Sequence, residues 1–358
     1  MHNVSYSFKN LKYSFIILSI KKNIIPAIFC VFTVCLVVFS RSNLSATKQG
    51  LLLWANNVVP SLLPFFIATE LLSYTNVILA LGKLLNPIME PLFHVPGIGS
   101  YAFLMGLISG YPTGAKIVVN LRQNKLCTRE EAERMLAFTN NSGPLFILGT
   151  VGISLFGNSS IGFLLLLTHI LASLSVGIVF RFYKYRKKSH NSATAVNSQN
   201  EQVNFSNLGD ILGKSIMSAI KTVMMIGGFV ILFSVILSIL KSCNIINVIA
   251  KVLYPLLKFW GISDFRFASS IVCGIIELTN GVMQIAAIPC KQISVNIILS
   301  AFLLGFGGFS VLLQVYSIIA KSDISIKGYF MGKLLHGILA CLYTFIIITY
   351  FPIFNLNL

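Results

Sequence analysis

The chain has 358 residues, 56% of them hydrophobic and 10% charged, with a formal net charge of +17 and a mean hydropathy of +0.83. That balance excludes a soluble globular protein, which at this length needs far more polar surface, and places the chain in lipid. Nucleic acid is not indicated as a partner either, because the basic residues stand in short loops rather than in one groove-sized patch, and charges placed so set membrane topology.

In chain order, Lys9, Lys12, Lys21 and Lys22 precede a first apolar stretch at 24–40 and mark the cytoplasmic side. The long basic leader, with no small-x-small site closing the stretch, argues for a retained anchor rather than a cleaved signal peptide. Arg41 and Lys48 run against a simple alternation of charge. An apolar stretch at 51–72 and a Pro-bent segment at 84–93 follow.

Residues 97–121 are apolar enough for a bilayer but broken by Ser109-Gly110-Tyr111-Pro112-Thr113-Gly114. Pro112 removes a donor, and Gly110 and Gly114 permit turns, so a half-helix is expected to begin near Thr113 with its amides aimed at the centre of the protein. Such a terminus favours an anion. The competing reading is a kink that only lets helices pack closely. Lys116, two residues on, either faces an anion or snorkels to the interface.

Arg129-Glu130-Glu131-Ala132-Glu133-Arg134 reads as a helix start, with Thr128 as N-cap and Glu131 completing a capping box. It is expected to be a solvated loop helix. It leads into a second break, Thr139-Asn140-Asn141-Ser142-Gly143-Pro144, in which Asn140, Asn141 and Ser142 supply donors and acceptors inside a span. Apolar stretches at 145–156 and 161–180 close this half, and Arg181, Lys184, Arg186, Lys187 and Lys188 return the chain to the cytoplasmic side. A polar segment at 189–207 is the one linker-like stretch.

Beyond it come apolar or bent segments at 222–240 and 252–260 and an interrupted run at 261–288, broken by Glu277-Leu278-Thr279-Asn280-Gly281. An ionised carboxylate at mid-membrane costs at least ~2.5 kcal/mol, so Glu277 needs a partner or a proton. It reads as a coupling-ion or proton site or a ligand contact, against a neutralised carboxylate near an interface. Thr279 and Asn280 are placed to bond a ligand, a cation or Glu277 itself. A fourth break, Gly305-Phe306-Gly307-Gly308-Phe309-Ser310, lies within an apolar stretch at 297–320 and offers exposed backbone at Gly307 and Gly308 and a hydroxyl at Ser310, with Gln314 following, and an apolar stretch at 334–351 ends the pattern. His169 and His336 each stand alone among apolar residues and read as packing residues rather than a proton relay. Cys30, Cys35, Cys127, Cys243, Cys273, Cys290 and Cys341 are scattered without metal-ligand or disulfide spacing.

An offset near 167 positions, from His169 to His336, aligns the breaks of the two halves. The expected fold is therefore an all-α polytopic membrane protein with two internal repeats, re-entrant hairpins and broken helices. Residues 1–45 form a basic leader and anchor, 46–188 a first repeat, 189–207 the linker and 208–351 a second repeat. The breaks must face protein or a water-filled cavity, since lipid cannot satisfy their backbone. The candidate ligand site gathers Gly110, Tyr111, Thr113, Gly114, Asn140, Asn141, Ser142, Thr279, Asn280, Gly281, Gly307, Gly308 and Ser310, with Glu277 and Lys116 coupling or compensating charge. Nothing in the sequence points to enzyme catalysis, a metal or a cofactor.

The phrases from Ser109 to Lys116, from Asn140 to Gly152 and from Glu277 to Gly281 resemble those of the sporulation integral membrane proteins of the YlbJ type, also called stage V sporulation protein V. The similarity runs from about Leu51 to Leu339, and the amino-terminal 45 residues lie outside it. The resemblance implies nucleoside-recognition (gate) domains, distant similarity to concentrative nucleoside transporters, and movement of dipicolinic acid from the mother cell across the outer forespore membrane. A nucleoside or other small-solute transporter, and a non-transporting membrane factor for spore-envelope assembly, stay open as alternatives, as do the driving ion and homo-oligomerisation.

Overall fold

The described residues, 23–185, 204–289 and 293–350 of a computed structural model, are helical almost throughout and contain no strand. Helices satisfy every backbone group internally, the condition a lipid-embedded chain has to meet. The leader lysines, Arg186, Lys187, Lys188, most of the linker and Cys290 lie outside the described residues.

Helix α1 is Asn23–Val38. Helix α2, Ser40–Leu53, runs through a π-helical turn, Trp54–Val58, into α3, Val59–Ser73. The turn precedes Pro60 and Pro64, whose rings would collide with regular helical carbonyls, and the Ser61 hydroxyl donates to Asn57 O at 2.6 Å. Helix α4, Asn76–Phe93, carries Pro87 and Pro91. Helices α5, Gly99–Ser109, and α6, Thr113–Gln123, form a hairpin across the first break. Helix α7, Arg129–Thr139, an extended stretch, and a π-helical segment, Phe146–Leu155, make the second interrupted span. Helix α8, Ser159–Phe180, is long and continuous.

After the linker, α9, Leu208–Ser242, is a 35-residue span. Helix α10, Ile245–Phe259, contains Pro255. Helices α11, Phe265–Ile276, and α12, Leu278–Ala286, form the second hairpin. Helices α13, Ile293–Phe306, and α14, Gly308–Ile319, are halves of one span broken at Gly307, and α15, Ile326–Tyr350, ends the described chain. Among the described residues, five helical stretches are long and apolar enough to cross a membrane: Ser40–Ser73, Ser159–Phe180, Leu208–Ser242, Ser294–Ile319 and Ile326–Tyr350.

Bent helix, hairpin, interrupted span and long helix thus follow one another in the same order on both sides of the linker. Helices α8 and α15 lie against each other between the two sets. Each hairpin closes on a pair of glycines: a Cβ on Gly114 would collide with the Thr139 carbonyl beside Gly106, and one on Gly281 would collide with Gly274 Cα. The halves interlock, since Val315 and Ile319 of α14 and Tyr329 of α15 share a core with Ala115, Val118 and Met135. At the membrane face, Arg122 grips Asp323 by two hydrogen bonds of 2.9 and 2.8 Å, and the guanidinium holds that carboxyl below the ordinary carboxylate range.

The acidic helix α7 departs from expectation. Its capping box forms as read, Thr128 Oγ1 accepting from Glu131 N and Glu131 from Thr128 N. The helix is not solvated, however: Glu133 is 0% and Arg134 4% exposed. Both have long-range partners that local sequence does not reveal. Glu133 takes Lys184 Nζ at 2.6 Å, Arg129 Nε at 3.0 Å and Ser325 N at 3.1 Å, and Arg134 donates to the His94 and Tyr183 carbonyls.

Candidate functional site

All four breaks meet at one interior cavity. Its wall includes Ser109, Gly110 and Tyr111 from the first break, Gly143 from the second, Glu277, Leu278 and Thr279 from the third, and Ser310 and Gln314 beyond the fourth. Apolar residues of α3 and α9, with Phe146, complete it. The cavity measures about 20 Å³, room for roughly one water molecule. Ser109 Oγ and Gln314 Oε1 are buried in it without a hydrogen-bond partner among the described residues. Buried polar atoms are nearly always paired, which marks these two as candidate ligand contacts.

The half-helix termini are not open as the sequence suggested. Glu277, 2% exposed, is the N-cap of α12: Thr279 N donates to it at 3.1 Å, Asn280 N at 2.7 Å and Asn280 Nδ2 at 2.8 Å. The α6 terminus is capped from another segment, Ala115 N donating to Asn140 Oδ1 at 3.3 Å. Helix α14 begins at Gly307 and Gly308, with φ of +84° and +76°, and has no side-chain cap. Its first turn brings Ser310 to the cavity wall.

Of the expected site residues, Gly110, Tyr111, Thr279, Ser310 and Glu277 line the cavity. Asn140, Asn141 and Ser142 instead hold the second break together. Asn140 Nδ2 donates to Tyr329 Oη at 2.9 Å, Asn141 Nδ2 to Phe138 O at 2.7 Å and Ser173 Oγ at 3.0 Å, and Ser142 Oγ to Leu304 O at 3.3 Å. Asn141 O accepts from Tyr111 N at 2.6 Å, which ties the first break to the second. Thr113 opens α6, while Gly114, Gly281, Gly307 and Gly308 serve close backbone approach or turns. Lys116 does not face Glu277: its Nζ donates to Thr222 Oγ1 of α9 at 2.8 Å.

The histidines are not isolated. His169 and His336 lie against each other, ring centroids 4.3 Å apart and planes tilted by 37°. Beside them lies Lys333, 2% exposed, which sequence reading passed over. Its Nζ is 3.1 Å from Asn140 O and 3.2 Å from His336 Nδ1. His336 Nε2 is 3.0 Å from His169 O, and Ser142 N donates to His169 Nε2 at 3.2 Å. One assignment satisfies all these contacts: His336 protonated on Nε2 and accepting from Lys333 at Nδ1, and His169 protonated on Nδ1. The chain of bonds fixes the unwound stretch at Asn140 and Ser142 through the buried Lys333 amine. The one sequence signal was the shared offset of the histidines, with Lys333 one helical turn before His336.

A family model described as Gate: Nucleoside recognition matches residues 55–180. In fold the chain is similar to CNTnw in an inward-facing substrate-bound state, with a TM-score of 0.54 over 88% of this chain and 84% of that one at 14% identity. It is 36% identical over 339 residues, 90% of this chain and 82% of the relative, to the sporulation integral membrane protein YlbJ of Bacillus subtilis (strain 168). With more than a third of its aligned residues shared along nearly its whole length, the chain belongs to the YlbJ family of sporulation integral membrane proteins.

Proposed function

We propose that this protein carries a small organic anion, dipicolinate, from the mother cell across the outer forespore membrane during sporulation, by alternating access at the central cavity. The observation that carries the reading is the convergence of four helix breaks on one cavity holding two unpartnered polar atoms, Ser109 Oγ and Gln314 Oε1. Such breaks lie near the bilayer midplane in repeat-built transporters. Tyr111 and Phe146 offer ring faces for a planar heteroaromatic ligand, and the free first turn of α14 favours a carboxylate. The sporulation role in the relative's name supports the cellular setting. At about 20 Å³ the cavity is too small for such a ligand, so admitting one requires the hairpin tips to part.

Nucleoside transport is the second reading, favoured by the family model and the CNTnw fold. Purified protein in liposomes decides between them. Dipicolinate uptake should be saturable and fall at least tenfold in Gln314→Leu, while uridine uptake stays at the level of empty liposomes. Saturable uridine uptake without dipicolinate uptake selects the second reading, and uptake of neither removes transport.

A further inference from the structure

Arg41 breaks the charge pattern of the membrane faces. The leader lysines and the basic run at 181–188 mark the cytoplasmic side, α1 then leads away from it, and α9 leads away from it after the linker. The start of α2 and the end of α9 therefore share the opposite face, where a Lys or Arg needs another reason to stand. There the two helices and α12 enclose a groove of about 440 Å³, within the size range of small-molecule sites. Arg41 and Lys241 are its charged residues, and the rest of the lining is mostly serine, asparagine and glutamine, with no acid. Neither cation has a hydrogen-bond or ion-pair partner among the described residues.

The floor of this groove is Asn280. Its side-chain amide donates to Ser234 Oγ in the groove at 3.0 Å and to Glu277 Oε2 on the central cavity at 2.8 Å. One side chain thus links the linings of the two compartments.

We propose that the groove between α2, α9 and α12 is a dicarboxylate-binding vestibule, in which Arg41 and Lys241 receive the anion after Asn280 turns aside. It rests on the transport reading, in which this face is the release side. The electrostatic logic is local. The central cavity is lined by one carboxylate and no cation, whereas the vestibule holds two cations and no carboxylate. A dianion leaving the cavity on this side moves away from Glu277 and toward compensating charge, which lowers the barrier to exit. Net direction stays with the gradient. A phospholipid phosphate would also suit two cations at a membrane face, but a headgroup site has no need of a floor hydrogen-bonded to the central cavity.

The test is equilibrium binding of labelled dipicolinate and of isophthalate, which has the same carboxylate spacing, to the full chain in neutral detergent. Both should bind, and Arg41→Gln/Lys241→Gln should weaken both at least tenfold, with loss of their salt dependence. Picolinate, with one carboxylate, should bind weakly to either form, and Arg41→Lys should retain most of the affinity, which shows that charge rather than folding is being read. Unchanged dicarboxylate affinity in the double variant, or no dicarboxylate binding at all, overturns the vestibule. A difference between the two forms that arises only when phosphatidylglycerol is added assigns the cations to lipid and also overturns it. Binding that depends on Arg41 and Lys241 in a protein that moves no dipicolinate in liposomes would remove the transport reading and leave the vestibule. Uptake in which binding ignores both residues would do the reverse.

Discussion

Glu277 gives its carboxylate to its own helix, accepting two backbone N–H groups and the Asn280 amide. Glutamine in its place keeps one acceptor and turns an NH₂ toward those donors. Glu277→Gln should therefore lose about 1–2 kcal/mol, the worth of a cap, seen as a lower unfolding midpoint in detergent; an unchanged midpoint would mean the cap is worth nothing here. This partnership was legible in sequence because Thr279 and Asn280 lie within a turn of the acid. Lys333 was not legible, because its partner carbonyl on Asn140 lies 193 positions away. Lys333→Met leaves that carbonyl and His336 Nδ1 without their donor, and each such orphan costs about 1–3 kcal/mol. In a double-mutant cycle with His336→Phe, the two losses should fall short of additivity by at least about 0.5 kcal/mol. Strict additivity would show that the 3.2 Å contact carries no energy.

Among the elements, the hairpins depend on backbone contact. Gly281 lies so close to Gly274 that a methyl group has no room, and the obstacle is main chain, which cannot rotate away. Gly281→Ala should destabilise by about 1–3 kcal/mol and abolish uptake, because α12 displaced from α11 carries Glu277 and Thr279 out of the cavity wall. Gly228, on the exposed side of α9 with open space where a Cβ would stand, is the control: Gly228→Ala should be neutral or stabilising by up to about 1 kcal/mol. Equal behaviour of the two variants in thermal unfolding and uptake would discard the close-packed hairpin. The positions of the breaks were readable because glycine, proline and polar residues are conspicuous in apolar runs. Which termini were capped was not readable, since α6 is capped by Asn140, from beyond the next helix. The burial of α7 was hidden for the same reason: four of its satisfying partners are Lys184, Ser325, His94 and Tyr183.

For the whole molecule, composition and the apolar stretches were enough to predict helices in lipid, because a bilayer leaves so few alternatives. What sequence withheld was how the helices interlock, with α14 and α15 entering the core of the first half. That interlocking makes the small cavity informative. Ser310 is 2% exposed and lines a space of about 20 Å³, so a cysteine there is shielded from a charged thiol reagent in this conformation. A transporter that alternates must expose the position to each side in turn. In a background with the other cysteines replaced, Ser310→Cys should react with a membrane-impermeant thiosulfonate applied to either face of oriented vesicles. Dipicolinate should slow the reaction from both faces by occupying the site. Reaction from one face alone, however slow, would describe a pocket or a receptor and would end alternating access as the mechanism. Reaction from both faces without protection by dipicolinate would keep the mechanism and reject the ligand.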